Sequence, residues 1–175
     1  LGASAIKGAI AKANLANDQV DEVIMGCVLP AGVKQAPARQ AAIAADLSLS
    51  TVCTTINKVC GSGMKAVMQA HDSLLAGSIE VAIAGGMESM SRAPHYIENS
   101  RKGVMFGHSK LIDSILKDGL WDPYNNVAMG NCGEILCKEN KYTLDMQNSF
   151  AVESYKRSKA AIDKGFFNEE IVSVN

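Results

Sequence analysis

The feature that most constrains this chain is an alternation of two hydrophobic periods that runs from its first residues to Gly86. Ala5, Ile6, Ala9, Ile10 and Ala13 share one helical stripe within residues 3–14, Asn17-Asp18 punctuates, and Glu22 to Val28 is a strand-like run. The pattern then repeats. Pro37 at a first-turn position opens a helix to about Ala45, and Thr51 to Val59 is a Thr- and Val-rich strand. A third helix is predicted from Ser62, with Met64, Val67, Met68, His71, Leu74 and Leu75 at spacings of three and four and Gly77 as its stop. Val81 to Ala84 follows as a short continuous apolar run ending in Gly85-Gly86. Continuous apolar strands between helices predict an α/β fold, a layered and mostly parallel or mixed sheet with helices on both faces, because crossover connections put helices there.

After Met87 the pattern changes to Gly, Ser, Asn, His and aromatic residues, with one helical stretch near Lys110 to Lys117. Met129 to Asn140 and Leu144 to Lys164 read as two helices, the second stopped by Gly165 and carrying Phe150, Ala151, Tyr155 and Ile162 on its inner face. This half is expected to be a covering subdomain. Ile171 to Val174 reads as a terminal strand. The chain opens at Leu1 with no initiator Met or signal-like segment and ends on that unpartnered strand, so the expectation is a piece of a longer polypeptide.

Composition narrows the partners. With 17 Lys+Arg against 18 Asp+Glu, a net charge of -1 and basic residues scattered, there is no footprint for tracking a phosphate backbone, so nucleic acid is not an expected partner. Neither is a membrane, since no apolar stretch approaches the roughly 18 to 20 residues of a spanning helix. Cys27, Cys53, Cys60, Cys132 and Cys137 are odd in number and irregular in spacing, and no N-x-Ser/Thr sequon occurs. That usage fits a reducing intracellular compartment without disulfides. Cys132 and Cys137 are separated by four residues with no second ligand pair, so no metal is expected. Cys27 and Cys53 lie in strand-like runs and read as small buried hydrophobes.

Chemistry concentrates at Asn57-Lys58-Val59-Cys60-Gly61-Ser62-Gly63-Met64-Lys65, a strand leading to a Cys at the start of a helix. Orphan N–H groups and the positive helix end favour an anion there, which makes a thiol a better nucleophile. Gly61 and Gly63 are expected to permit a sharp strand-to-helix turn and let a substrate approach amides able to stabilise an oxyanion. Taken alone, the residues leave two other readings open. Cys60 can be one more buried small residue, and Gly61-x-Gly63-x-x-Ala66 with Glu88 downstream fits a dinucleotide-binding turn. His71, His95 and His108 offer no assignable base, and neither a G-x-S-x-G elbow nor a G-x-x-x-x-G-K-[ST] loop is present.

Asn57 to Ala66, the run Gly85-Gly86-Met87-Glu88-Ser89-Met90-Ser91-Arg92-Ala93-Pro94-His95 and Gln35-Ala36-Pro37-Ala38-Arg39-Gln40 together resemble the thiolases, nearest their acetyl-CoA acetyltransferase branch. The likeness runs in register along the chain, through Lys117-Asp118-Gly119-Leu120 and Met129-Gly130 to Ile171-Val172. It implies a thiolase-like fold: an N-terminal domain over 1–94 lacking its first strand, and a truncated loop domain over 95–175 that covers the site, binds coenzyme A and in its first part makes tetramer contacts. The C-terminal domain, with its activating His, water-positioning Asn and second Cys, would be absent. The implied reaction is acyl transfer between coenzyme A thioesters, from two acetyl-CoA to acetoacetyl-CoA and back, through an acyl group held on Cys60. By the same resemblance the backbone N–H at Cys60 helps form the oxyanion hole, and Leu120 and Met129 match positions lining the pantetheine channel. Coenzyme A thioesters are then substrates and no cofactor is expected. The full-length protein is expected to be a homodimer or homotetramer, cytoplasmic or mitochondrial.

The chain departs from the short-chain pattern at two places. Ala128 stands in Val127-Ala128-Met129-Gly130 where the family's acetoacetyl-CoA members resemble His-Met-Gly, and Trp121 replaces a small polar residue. Both would alter the channel wall and open the site to longer or branched 3-ketoacyl chains, and the 175 residues alone are expected not to complete turnover. A non-catalytic thiolase-like module is the remaining reading.

Overall fold

The computed structural model describes residues 1–174, which divide into two compact units, Leu1–Leu120 and Trp121–Ser173. The first unit runs α1 (Gly2–Ala13), β1 (Glu22–Gly26), α2 (Pro37–Ala44), β2 (Val52–Ile56), α3 (Ser62–Leu75) and β3 (Ala82–Gly86). The strands form a parallel sheet in the order β2-β1-β3, with Glu22 opposite both Val52 and Ala82 and Gly26 opposite both Ile56 and Gly86. The expected alternation is therefore observed, with element ends within a few residues.

Strand period sorts β1 onto two cores. Val23 and Met25 point to one face, where they join Ile6 and Ile10 of α1 and Ala38, Ala41 and Ala42 of α2; Ile24 points to the other, against Ala66 and Ala70 of α3. As central strand, β1 is buried from Val23 onward. Helices thus cover both faces. Cys27 is buried and Cys53 packs against the first core, as expected of small hydrophobes.

The helix expected from Ser62 is present as α3, and the face it turns to the sheet is not its apolar stripe. Met64 is 73% exposed and Leu75 75%, Val67, Met68 and Leu74 are also exposed, and His71 lies outside as well, while Ser62, Ala66 and Ala70 face the sheet. The cause is proximity: a Cβ added to Gly26 would lie 2.6 Å from the Ser62 Cβ and 2.8 Å from the Gly63 nitrogen. Only the small stripe of the helix fits that gap.

Beyond β3, His95–Tyr96 (β4) pairs antiparallel with Ile112–Asp113 (β5). The helix expected near Lys110 to Lys117 is instead this short strand followed by a π-helical turn, Ile115–Leu120. Pairing to β4 takes up the first part of the segment, and Asp113 Oδ1 accepts from the Ile115 N–H at 2.8 Å, restarting the chain as a turn. These residues sit within the first unit.

In the second unit, Trp121–Asp122 (β6) pairs antiparallel with Val127–Ala128 (β7), followed by α4 (Met129–Asn140) and α5 (Leu144–Asp163). Thr143 caps α5 by accepting from the Met146 N–H at 3.2 Å. The face expected to be the inner one on α5 is uncovered among the described residues: Phe150, Tyr155 and Ile162 are exposed, and neither helix buries a residue. Residues 171–174 are irregular, not a strand, because no described strand offers them ladder partners. No helix among the described residues is long and apolar enough to cross a membrane.

Candidate active site

The site is built where the C-terminal ends of the parallel strands meet the start of α3, which is where open α/β sheets place their ligands. A cavity of about 410 Å³ opens there, lined by Val28, Leu29, Val59, Cys60, Met87, Met90, Ile115 and Leu120, with Gly26, Gly63 and Gly86 on its floor. Cys60 is exposed, so the reading that makes it a buried structural thiol is set aside.

The turn that presents Cys60 is not made by the glycines as expected. Gly61 has φ -89°, which any residue adopts, whereas Val59 has φ 47°, a left-handed conformation that is costly for a β-branched side chain. Its neighbours hold it there. The Val59 N–H donates to Asn57 Oδ1 at 2.9 Å, and the Val59 carbonyl accepts from the Ser62 hydroxyl at 2.6 Å and the Ser62 N–H at 3.0 Å. Ser62 Oγ in turn accepts from the Lys58 N–H at 2.8 Å. This network fixes a strained residue beside the thiol, a placement often found at functional sites. Gly63 serves packing, since Gly26 and Gly86 close on it.

At the head of α3, the Ser62 amide turns back to Val59, while Gly63 and Met64 have no backbone acceptor among the described residues. Those amides sit at the positive end of a 14-residue helix and are suited to meet developing negative charge. The walls are mostly apolar, so such interactions strengthen once a substrate displaces water from them.

The other resemblance-bearing motifs turn out to be struts. Arg39 donates to the carbonyls of Thr51 and Leu49, each at 3.0 Å, and Gln40 donates to those of Val33 and Gln35. Glu88 Oε2 accepts from the Val28 N–H at 2.8 Å, and Oε1 from the Leu29 N–H at 3.1 Å. A dinucleotide reading needs a carboxylate turned to a ribose, and this one faces backbone amides. Burial, then the Glu88 charge, pushes the Cys27 thiol above its ordinary value of 9.0, so this second sulfur near the cavity is held neutral.

Of the expected site residues, Cys60 and Leu120 line one cavity. Met129 belongs to the second unit as the first residue of α4, 46% exposed. Trp121 and Ala128, the two departures from the short-chain pattern, are direct cross-strand partners, with the Trp121 indole donating to Asn126 Oδ1 at 2.9 Å. No His lines the Cys60 cavity. His71 and Asp72 form only an exposed 3.7 Å contact, and no group of three or more His, Cys, Asp or Glu placed to hold a metal ion occurs among the described residues. Sequence reasoning missed Val59, Ser62 and Asn57 as a unit, because nothing in a sequence marks a valine as left-handed.

A family model described as the thiolase N-terminal domain matches residues 1–175, and the chain belongs to the thiolase family. Over 174 residues, 99% of this chain, it is 50% identical to acetyl-CoA acetyltransferase 2 of Arabidopsis thaliana, and 51% identical to acetyl-CoA acetyltransferase of Cupriavidus necator. It is 52% identical to the mitochondrial acetyl-CoA acetyltransferase of Xenopus tropicalis over the same length. The chain spans 43%, 44% and 41% of these relatives. Its fold superposes on the Acat5 thiolase of Ascaris suum, crystallised in complex with coenzyme A, with TM-score 0.94 and 38% identity, covering 99% of this chain and 45% of that one.

Proposed function

We propose that this chain supplies the acylating half of an enzyme that moves acyl groups between coenzyme A thioesters, joining two acetyl-CoA into acetoacetyl-CoA and coenzyme A, and reversing that step. The observation that carries this reading is Cys60, exposed in an apolar cavity at the head of α3 beside amides with no backbone acceptor. The Cys60 thiolate attacks the thioester carbonyl, the oxyanion is met by backbone N–H groups, and the bond from acyl carbon to coenzyme A sulfur breaks. Coenzyme A leaves as a thiolate that takes up a proton, and the acyl group stays on Cys60. In condensation, the carbanion of a second acetyl-CoA attacks the acyl carbon and Cys60 departs as thiolate; in thiolysis, the Cys60 thiolate attacks the 3-keto carbon of acetoacetyl-CoA, the C2–C3 bond breaks to release the carbanion of acetyl-CoA, which takes up a proton, and a coenzyme A thiolate then attacks the acyl carbon on Cys60, which departs as thiolate. The base for the methyl proton is assigned to the second half-chain that the resemblance implies.

The thioester already activates the acyl carbon, so the reading calls for no metal or organic cofactor. Leu120, on the cavity wall, and Met129 are the residues assigned to pantetheine, with 95–175 as the covering domain; the coenzyme A held by the Ascaris relative supports that choice of substrate. A homodimer or homotetramer in a reducing compartment, cytoplasmic or mitochondrial, completes it. The Trp121–Ala128 pair favours a second reading on substrate, longer or branched 3-ketoacyl chains.

The natively expressed protein is incubated with acetyl-CoA, quenched in acid and mapped by mass spectrometry. Acetyl on the Cys60 peptide, lost in Cys60→Ala, is the expected result. Acetyl elsewhere, or none, leaves a non-catalytic thiolase-like module.

A further inference from the structure

We propose that Glu88 is a positioning residue of the Cys60 cavity, its carboxylate bridging the segments that leave β3 and β1 so as to hold the Val28–Leu29 wall against which an acyl chain is measured. Strand pairing ends just short of this wall. The Cys27 N–H still reaches the Ile56 carbonyl at 3.0 Å, but the next two amides have no backbone acceptor among the described residues, and Glu88 takes both, across 60 and 59 residues of sequence. On the other side Asn57 Nδ2 donates to the Val28 carbonyl at 3.3 Å. Val28 is thereby pinned at its N–H and its carbonyl from the exits of both neighbouring strands. Leu29 is 8% exposed, and its Cδ2 would lie 3.8 Å from a Cβ at Gly119, so this wall comes near the π-helical turn that carries Leu120. A shift of this wall changes the cavity's depth.

The chemistry asks for a carboxylate. Two N–H donors, with the Cys27 thiol as a third at 3.8 Å from Oε1, converge on one side chain. A carboxylate presents two acceptor oxygens, whereas an amide presents one and turns an NH₂ toward a donor. The inference rests on the proposed acyl transfer only for what the wall measures. The clamp itself can be read without any substrate.

In the natively expressed protein, Glu88→Gln is expected to speed hydrogen exchange at the Val28 and Leu29 amides by about tenfold or more, with Val23 to Met25 unchanged. The ratio of Cys60 alkylation rates for iodoacetamide and for a bulky aryl maleimide is expected to shift by about fivefold. Relative kcat/KM for acetoacetyl-CoA and a longer 3-ketoacyl-CoA is expected to shift by a similar factor. Glu88→Asp, one methylene short of both amides, is expected to fall between wild type and Gln, and takes the same tests should the Gln variant not fold. Unchanged exchange at Val28 and Leu29, or changed exchange with an unchanged alkylation ratio, overturns the proposal. A wild type that takes no acetyl on Cys60 from acetyl-CoA defeats the proposed function instead and leaves the exchange and alkylation tests intact.

Discussion

At the scale of single residues, the site depends on a local strain and the atoms that hold it. Val59 at φ 47° is tolerated because Asn57 and Ser62 satisfy both its polar groups, and Ser62 is 4% exposed. Removing the Ser62 hydroxyl leaves the Lys58 N–H without its acceptor and removes one donor to the Val59 carbonyl. Ser62→Ala is therefore expected to cost about 1–3 kcal/mol, read as a lower denaturation midpoint at unchanged m-value, and to slow iodoacetamide at Cys60 as the turn relaxes. A variant as reactive and stable as wild type would mean the strain is held elsewhere. The thiols divide by the same logic, with Cys60 in the open and Cys27 pushed up first by burial and then by the Glu88 charge beside it.

At the scale of elements, α3 shows how close approach overrides periodicity. Its apolar stripe is ordinary for a buried face, yet the sheet takes the small stripe because the glycines at the ends of β1 and β3 bring the helix axis near. Ala66 is 0% exposed there. Ala66→Leu is expected to destabilise by about 1–3 kcal/mol through overpacking, measured by chemical denaturation, with a larger loss of Cys60 acetylation than Ile6→Ala causes. Ile6→Ala, in the core on the opposite face, is expected to cost about 2–5 kcal/mol while leaving the Cys60 turn in place. Equal effects of the two on acetylation would show that α3 does not set the thiol's position. Tertiary pairing likewise replaced the helix expected near residues 110–117, since β5 needs its backbone groups for β4.

Across the whole molecule, acid stability turns on carboxylates that staple distant segments. Asp21 Oδ2 accepts from the Glu80 and Val81 N–H groups at 2.8 and 3.0 Å, tying the entry of β3 to that of β1. The Val81 amide, then the Glu80 amide, holds its carboxyl below the ordinary 3.8. Because the folded value is the lower one, the stabilisation is present above the unfolded value and is lost as pH falls through the folded value, that is, below about pH 4. Asp21→Asn is expected to lower stability at neutral pH and flatten the acid limb, followed by thermal unfolding between pH 6 and 2.5. An acid limb parallel to wild type would remove Asp21 from that account. Asp122 holds a local turn in the second unit, its carboxyl kept low first by the Asn125 side chain and then by the Tyr124 amide.

The sequence by itself determined the alternation of strands and helices, the helix start at Ser62 behind a cysteine, and the thiolase likeness, because these depend on period, punctuation and short motifs that are local. It did not contain the left-handed Val59, the outward turn of the apolar stripe on α3, the exposed face of α5 or the role of Glu88 as a clamp. Each of these depends on what lies opposite in space, across as many as 60 residues of chain. A backbone strain is invisible until the groups that compensate it are assembled, and a helix cannot choose its buried face until the sheet beneath it is in place.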